Sequence, residues 1–220
     1  FRSLLADKNS VVVERAEYML GRFGASSRAF VPALVSGAAR TQPVPAVYAD
    51  AIVQIGGPAV PELLRQLEKV SAASLTREHW AVKLVEGIGI AALPELAKAL
   101  GSPVASIRLA ALGAISELGA DARESRAAIA KLTSDPEPAI RGAALTALVA
   151  LHLDAADTRA RIDAAMKDPA PVVRLSAAMA AGTLGPAGRE LSGSLGRLLD
   201  DSDPAVRSAA VKAVGATGSD

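Results

Sequence analysis

The sequence predicts an all-α superhelix, a solenoid of about six to seven helical hairpins. Three observations carry this. Arg108, Arg141, Arg174 and Arg207 recur every 33 residues. Pro138, Pro171 and Pro204 keep the same period three residues before the arginines, and Asp135, Asp168 and Asp201 keep it six residues before them, with Ser102 in the copy before. Eleven residues after the arginines stand Gly119, His152, Gly185 and Gly218. A strict period of this length marks one structural unit stacked many times. Composition agrees with helices: half the residues are hydrophobic but only 3% are aromatic, so the apolar content is mostly Ala, Leu, Val and Ile. Ala and Leu are strong helix formers, and small alanines let helices approach closely.

Taken in chain order, the first units repeat loosely. Tyr18, Phe23 and Phe30 are expected to pack the first one. Gln42-Pro43-Val44-Pro45 reads as a loop between units, and Ile55-Gly56-Gly57-Pro58 as a turn between two helices. Gly24 and Gly57 are 33 residues apart, as are Gly56 and Gly89, and Pro61-Glu62-Leu63-Leu64 returns 33 residues later as Pro94-Glu95-Leu96-Ala97. The arginine column fails here, where Val13, Ala46 and Glu78 take its place. From Gly89 to Gly119 the spacing drops to 30, so one unit is shortened.

The later units are regular. Each first helix starts near the proline, which suits a first turn because its missing N–H has no intrahelical partner there. Asp203 is a good N-cap for the last of them, and Ala170 is not one for its helix. Apolar residues follow at helical spacing: Ile107, Ala111, Ile115 and Leu118 in one copy, Val173, Ala177, Ala181 and Leu184 in another. Glycine then ends the helix, as in Leu184-Gly185-Pro186-Ala187-Gly188. The second helices carry Ile129 and Leu132, Ile162 and Met166, and Leu195, Leu198 and Leu199. A seventh unit is represented by its first helix, Pro204 to about Ala216. The organisation expected is one solenoid over residues 1–220, irregular over 1–102 and regular over 103–220.

The opening Asp135-Pro136-Glu137-Pro138-Ala139-Ile140-Arg141, with its Leu-Gly turn and second amphipathic helix, resembles a HEAT repeat. The ankyrin Thr-Pro-Leu-His signature and the tetratricopeptide pattern of Trp, Leu-Gly and Tyr are absent. The short period is similar to that of compact HEAT-like repeats of bacterial proteins and phycobilin lyases. The resemblance implies a HEAT-type superhelix in which the repeated Asp and Arg bond each other or nearby backbone. That structural ladder would comprise Asp135, Asp168, Asp201, Arg108, Arg141, Arg174 and Arg207. It also implies that second helices line a concave surface.

Little points to catalysis. No cysteine is present, which excludes disulfides and thiolate metal sites. Of the two histidines, His152 stands at a helix end and His79 follows Glu78. Deoxyhypusine hydroxylases, which share the fold, hold two irons with several His-Glu pairs, and here there is one pair in reversed order. Gly87-Ile88-Gly89 is a helix terminator rather than a phosphate loop, and Asp200, Asp201 and Asp203 are capping residues in a turn. No catalytic, cofactor-binding or metal-binding residue is expected, and no cofactor. No apolar run approaches the ~18 residues that span a bilayer, and the composition leaves the compartment open.

Two features point to a partner. Arg65, Lys98, Lys131 and Arg197 share a 33-residue register broken only by Ala164. Each follows an apolar anchor by two residues, which puts it opposite the buried stripe of a second helix. Arg123, Arg126 and Arg159 add to this row, while Glu62, Glu95, Glu124, Asp163 and Glu190 dilute it. Trp80, the only tryptophan, either fills space in a degenerate unit or serves as a binding hot spot. The expected function is a non-catalytic scaffold that presents a concave helical surface to a protein or peptide. One alternative is chromophore attachment or assembly of the phycobilin-lyase type, against which the low aromatic content argues. Another is nucleic-acid binding as in HEAT-like DNA glycosylases, against which 24 basic and 23 acidic residues argue.

Overall fold

The computed structural model of the chain describes residues 3–41, 43–152 and 156–218; Gln42 of the expected loop lies outside them. The described residues form helices joined by turns, with no strand among them. They gather into two compact units, Phe1–Ala114 and Ile115–Asp220.

Unit 1 holds three helical pairs: α1 (Ser10–Arg22) with α2 (Val31–Arg40), α3 (Ala46–Ile55) with α4 (Val60–Arg65), and α5 (Trp80–Ile88) with α6 (Leu93–Ala99). The first helices pack in the order α1, α3, α5, and the second helices in the order α2, α4, α6. The core lies between the two rows, with Leu20, Leu34, Ile52, Ile55, Leu63, Leu67 and Leu96 buried. Residues 66–79 link α4 to α5 through turns rather than helix. The buried Ser106 hydroxyl donates to the Leu67 carbonyl at 2.7 Å and so satisfies one backbone group of this stretch. Tyr18 and Phe23 do not fill the core as their aromatic character suggests. They are 54% and 51% exposed: Tyr18 lies off the face of α1 that buries Ala16 and Leu20, and Phe23 is the C-cap just past the helix end. Phe30 is half-buried.

The boundary between units falls inside α7 (Ala105–Leu118). Unit 2 continues with α8 (Arg126–Leu132), α9 (Pro138–Ala150), α10 (Ala156–Ala165), α11 (Pro171–Thr183), α12 (Ser192–Leu198) and α13 (Pro204–Thr217). The first helices α9, α11 and α13 pack side by side. Leu145, Ile162, Val173, Ala177, Leu195, Val206 and Ala210 belong to one buried cluster between them and the second helices. Helices α9, α11 and α13 each begin at the column proline. The column glycines take left-handed φ values, +55° at Gly119, +56° at Gly185 and +66° at Gly218. His152, where the column lacks glycine, adopts φ +50° all the same.

Candidate functional site

The column residues of unit 2 meet in a repeated polar arrangement. Arg141 donates from Nε and Nη2 to the two carboxylate oxygens of Asp168, each at 2.8 Å, and from Nη1 to the Asp135 and Pro136 carbonyls at 2.9 and 3.2 Å. Arg174 does the same one period later, gripping Asp201 at 2.7 and 2.8 Å and the Asp168 and Pro169 carbonyls at 2.9 and 3.1 Å. The arginine of one hairpin therefore holds its own loop and the aspartate of the next. Each aspartate also accepts a backbone N–H two residues on: Glu137 for Asp135, Ala170 for Asp168, Asp203 for Asp201, all at 2.9 Å. The Arg141 guanidinium holds the Asp168 carboxyl below its ordinary range, and Arg174 holds Asp201 down to about 2. Arg207 donates to the Asp201 and Ser202 carbonyls, and Arg108 to that of Ser102.

Second helices of unit 2 are tied as well, by residues that no column announces. Arg161 of α10 donates to the Ala130 carbonyl and the Thr133 hydroxyl at the end of α8. The Ser194 hydroxyl of α12 donates to Asp163 of α10. These bonds join residues about one period apart, a signal that becomes visible only once the pairing of helices is known.

The basic row occupies the last turn of its helices, where a cation favours the negative end of the helix dipole. Arg65 pairs with Glu62 and Lys98 with Glu95, both within one helix turn. Arg197 donates to Ser194 at 2.6 Å, and Lys131 is exposed. Of the residues that would extend the row, Arg126 pairs with Asp157, Arg159 with Glu190, and Arg123 donates to the Ala120 carbonyl. The acids thus neutralise much of this row locally. Trp80 opens α5, half-buried, its ring stacked on His79 at 5.9 Å and 27°. His79 is the N-cap of α5; its Nδ1 accepts the Ala81 N–H at 3.3 Å, and burial lowers its pKa.

Unit 1 contains a buried carboxylate that no periodicity foreshadows. Glu17 on α1 is 1% exposed, accepts a hydrogen bond from the Tyr48 hydroxyl of α3, and has no partner for Oε1 among the described residues. Burial raises its pKa and pushes that of Tyr48 up to about 12. Tyr48 reaches this place over Gly37, where a Cβ would stand 2.4 Å from the ring.

The surface of unit 2 carries a groove of about 470 Å³ between α11 and α13. Small residues (Ala178, Gly182, Ala205 and Ala209) form much of its wall, with Leu175, Met179 and Lys212 beside them. Met179 is 60% exposed. Among the described residues no group of three or more His, Cys, Asp or Glu could hold a metal ion, and no helix is long and apolar enough to cross a membrane.

The family model for HEAT repeats matches residues 158–220. No curated protein matches the chain. Among solved structures, the chain is similar to the CpcE–CpcF complex of phycocyanin lyase from Nostoc sp. PCC7120, at 23% identity over 69% of this chain and 98% of that one, with a TM-score of 0.50. It is similar to a designed armadillo repeat protein in complex with the peptide (KR)4, at 14% identity over 98% and 97%, with a TM-score of 0.52. An engineered protein aligns at 14% identity over 99% and 97%, with a TM-score of 0.52. At these identities the likeness is one of fold.

Proposed function

We propose that the chain, whose residues 158–220 match the HEAT-repeat family model, works as a non-catalytic helical-repeat scaffold that binds a protein or peptide segment through unit 2. The observation that carries this is the apolar groove between α11 and α13. Large exposed apolar side chains beside a formed groove mark interaction surfaces, and methionine adapts to varied partners. The groove fits the apolar face of an amphipathic helix, and the adjacent Lys212 suits an acid on its flank. The Asp–Arg columns belong, on this reading, to cohesion rather than recognition: Asp135, Asp168, Asp201, Arg108, Arg141, Arg174 and Arg207 hold hairpins in register. Lys131 and Arg197, exposed in the same unit, add charge selectivity; Arg65, Lys98 and Trp80 are candidate partner contacts of unit 1 taken by itself. Two of the structures of like fold are complexes, one with a peptide and one of two lyase subunits, which is consistent with a binding role.

Selection from a displayed library of random helical peptides tests the reading. Peptides with an apolar stripe should be enriched, and Met179→Glu should abolish their binding while leaving the melting temperature unchanged. Failure to enrich any peptide, or binding indifferent to Met179→Glu, sinks it. A stable absorbance band after incubation with a bilin would favour the lyase-like alternative instead, and salt-dependent DNA affinity the nucleic-acid one.

A further inference from the structure

The ladder of unit 2 shows what a first-helix arginine fills. The Arg141 guanidinium lies between its own loop, at the Asp135 and Pro136 carbonyls, and the next loop, at Asp168. In unit 1 two of these arginine positions, eleven residues before Gly24 and Gly57, hold Val13 and Ala46. Both line a cleft of about 620 Å³ at the starts of α1 and α3. Asp7 and Lys8 line it too, six and five residues before Val13, as Asp135 and Pro136 are before Arg141. The cleft therefore stands where a ladder arginine would stand, between two successive hairpins. A short apolar side chain in that position leaves it open.

Acids complete the wall. Glu14 and Glu17 line the cleft, with Tyr48 facing them from α3. Glu17, one helix turn past Val13, is 1% exposed. The Tyr48 hydroxyl donates to this carboxylate, while Oε1 has no partner among the described residues. A buried carboxylate left half-satisfied is costly unless something supplies the missing donor. The cations on this side do not supply it: Lys8 is exposed, and Arg40 donates to the Ser36 hydroxyl at 2.7 Å. Nor do the acids converge as a metal ion would need, since no group of three carboxylates among the described residues could hold one. The missing donor is thus an organic cation.

We propose that this cleft binds a guanidinium group brought from outside the chain, with Glu17 as its counter-ion. The ligand does in unit 1 what Arg141 does in unit 2. Because Glu17 is shielded from water, the cation must shed its own water to meet it. That favours the weakly hydrated guanidinium over a strongly hydrated ammonium. Val13, Pro45 and Val47 offer apolar surface to the alkyl stem that carries the group. Glu17 then opposes folding of the free chain and serves binding.

Isothermal titration calorimetry on the 220-residue chain is the test, with agmatine and a capped Gly-Arg-Gly peptide as probes. Both carry a guanidinium, the first on a free small molecule and the second on a polypeptide side chain. At least one should bind, and the tighter of the two identifies the source. Its neutral urea analogue should bind about tenfold more weakly or worse, having lost the charge-assisted bonds. Glu17→Gln should weaken binding about tenfold or more without lowering the melting temperature. Val13→Arg should abolish binding by filling the cleft from within. Circular dichroism should show both variants folded. Met179→Glu, in the groove of unit 2, should leave guanidinium binding unchanged, so the two sites are tested separately. No heat from either probe at millimolar concentration overturns the proposal. So does a urea analogue that binds equally well, or binding that survives Glu17→Gln or Val13→Arg.

Discussion

Glu17 and Asp201 are acids whose pKa values move in opposite directions. Asp201 is held down to about 2 by Arg174, so its contribution to stability is present above its ordinary 3.8 and is lost as pH falls toward 2. Glu17 is raised above its ordinary 4.5 by burial, so folding is favoured with the proton on and loses stability as pH climbs through the folded value. Glu17→Gln keeps an acceptor for the Tyr48 hydroxyl and removes a buried charge, which costs more than a buried amide. It should therefore stabilise the chain by about 1 kcal/mol at neutral pH. Thermal melts at pH 7 and pH 4 check this: the gain should shrink at the lower pH, and an equal or larger gain there would contradict the assignment. Nothing in the sequence marks Glu17, because its burial depends on how α1 meets α3, where the columns fail. The arginines, by contrast, are legible as a period, though their bidentate grip on the next aspartate emerges only from the stacking.

Helix starts show how closely one unit copies another. Ala170 and Asp203 precede their prolines with the same backbone, φ −84° and ψ 123° against φ −85° and ψ 123°. Only Asp203 caps its helix, accepting the Ala205 and Val206 N–H groups at 2.8 and 3.3 Å. Ala170→Asp should thus gain about 1 kcal/mol, the usual worth of an N-cap. Chemical denaturation would register it as a higher midpoint at unchanged slope. This difference is readable from sequence, as are the proline starts and glycine ends of α11 and α13, because caps are local. The turn-rich stretch 66–79 is not, since its buried anchors, such as Leu67 held by Ser106, depend on distant residues. The exposure of Tyr18 is hidden for a related reason: aromatic identity argues for burial, while helix face decides it.

At the scale of the molecule, the two compact units differ in how they are held. Unit 2 has the Asp–Arg grips between hairpins, with side chains of Arg174 and Asp201 only 13% and 8% exposed. In unit 1 the pairs Arg65 with Glu62 and Lys98 with Glu95 each lie within one helix and are more exposed. Exposed pairs contribute little, whereas bidentate, shielded ones contribute more. In a stacked chain, stability is the sum of units and their neighbour terms, so opening need not be uniform. Native-state hydrogen exchange should find the slowest amides in α9, α11 and α13, with α1 through α6 exchanging first. Arg141→Ala removes one grip and leaves Asp168 shielded without its cation, a loss of about 2 kcal/mol. Its effect should fall on α9 and α11 far more than on α1 through α6. Equal acceleration throughout the chain would mean that the two units open as one, and that the ladder stabilises the molecule globally rather than unit by unit.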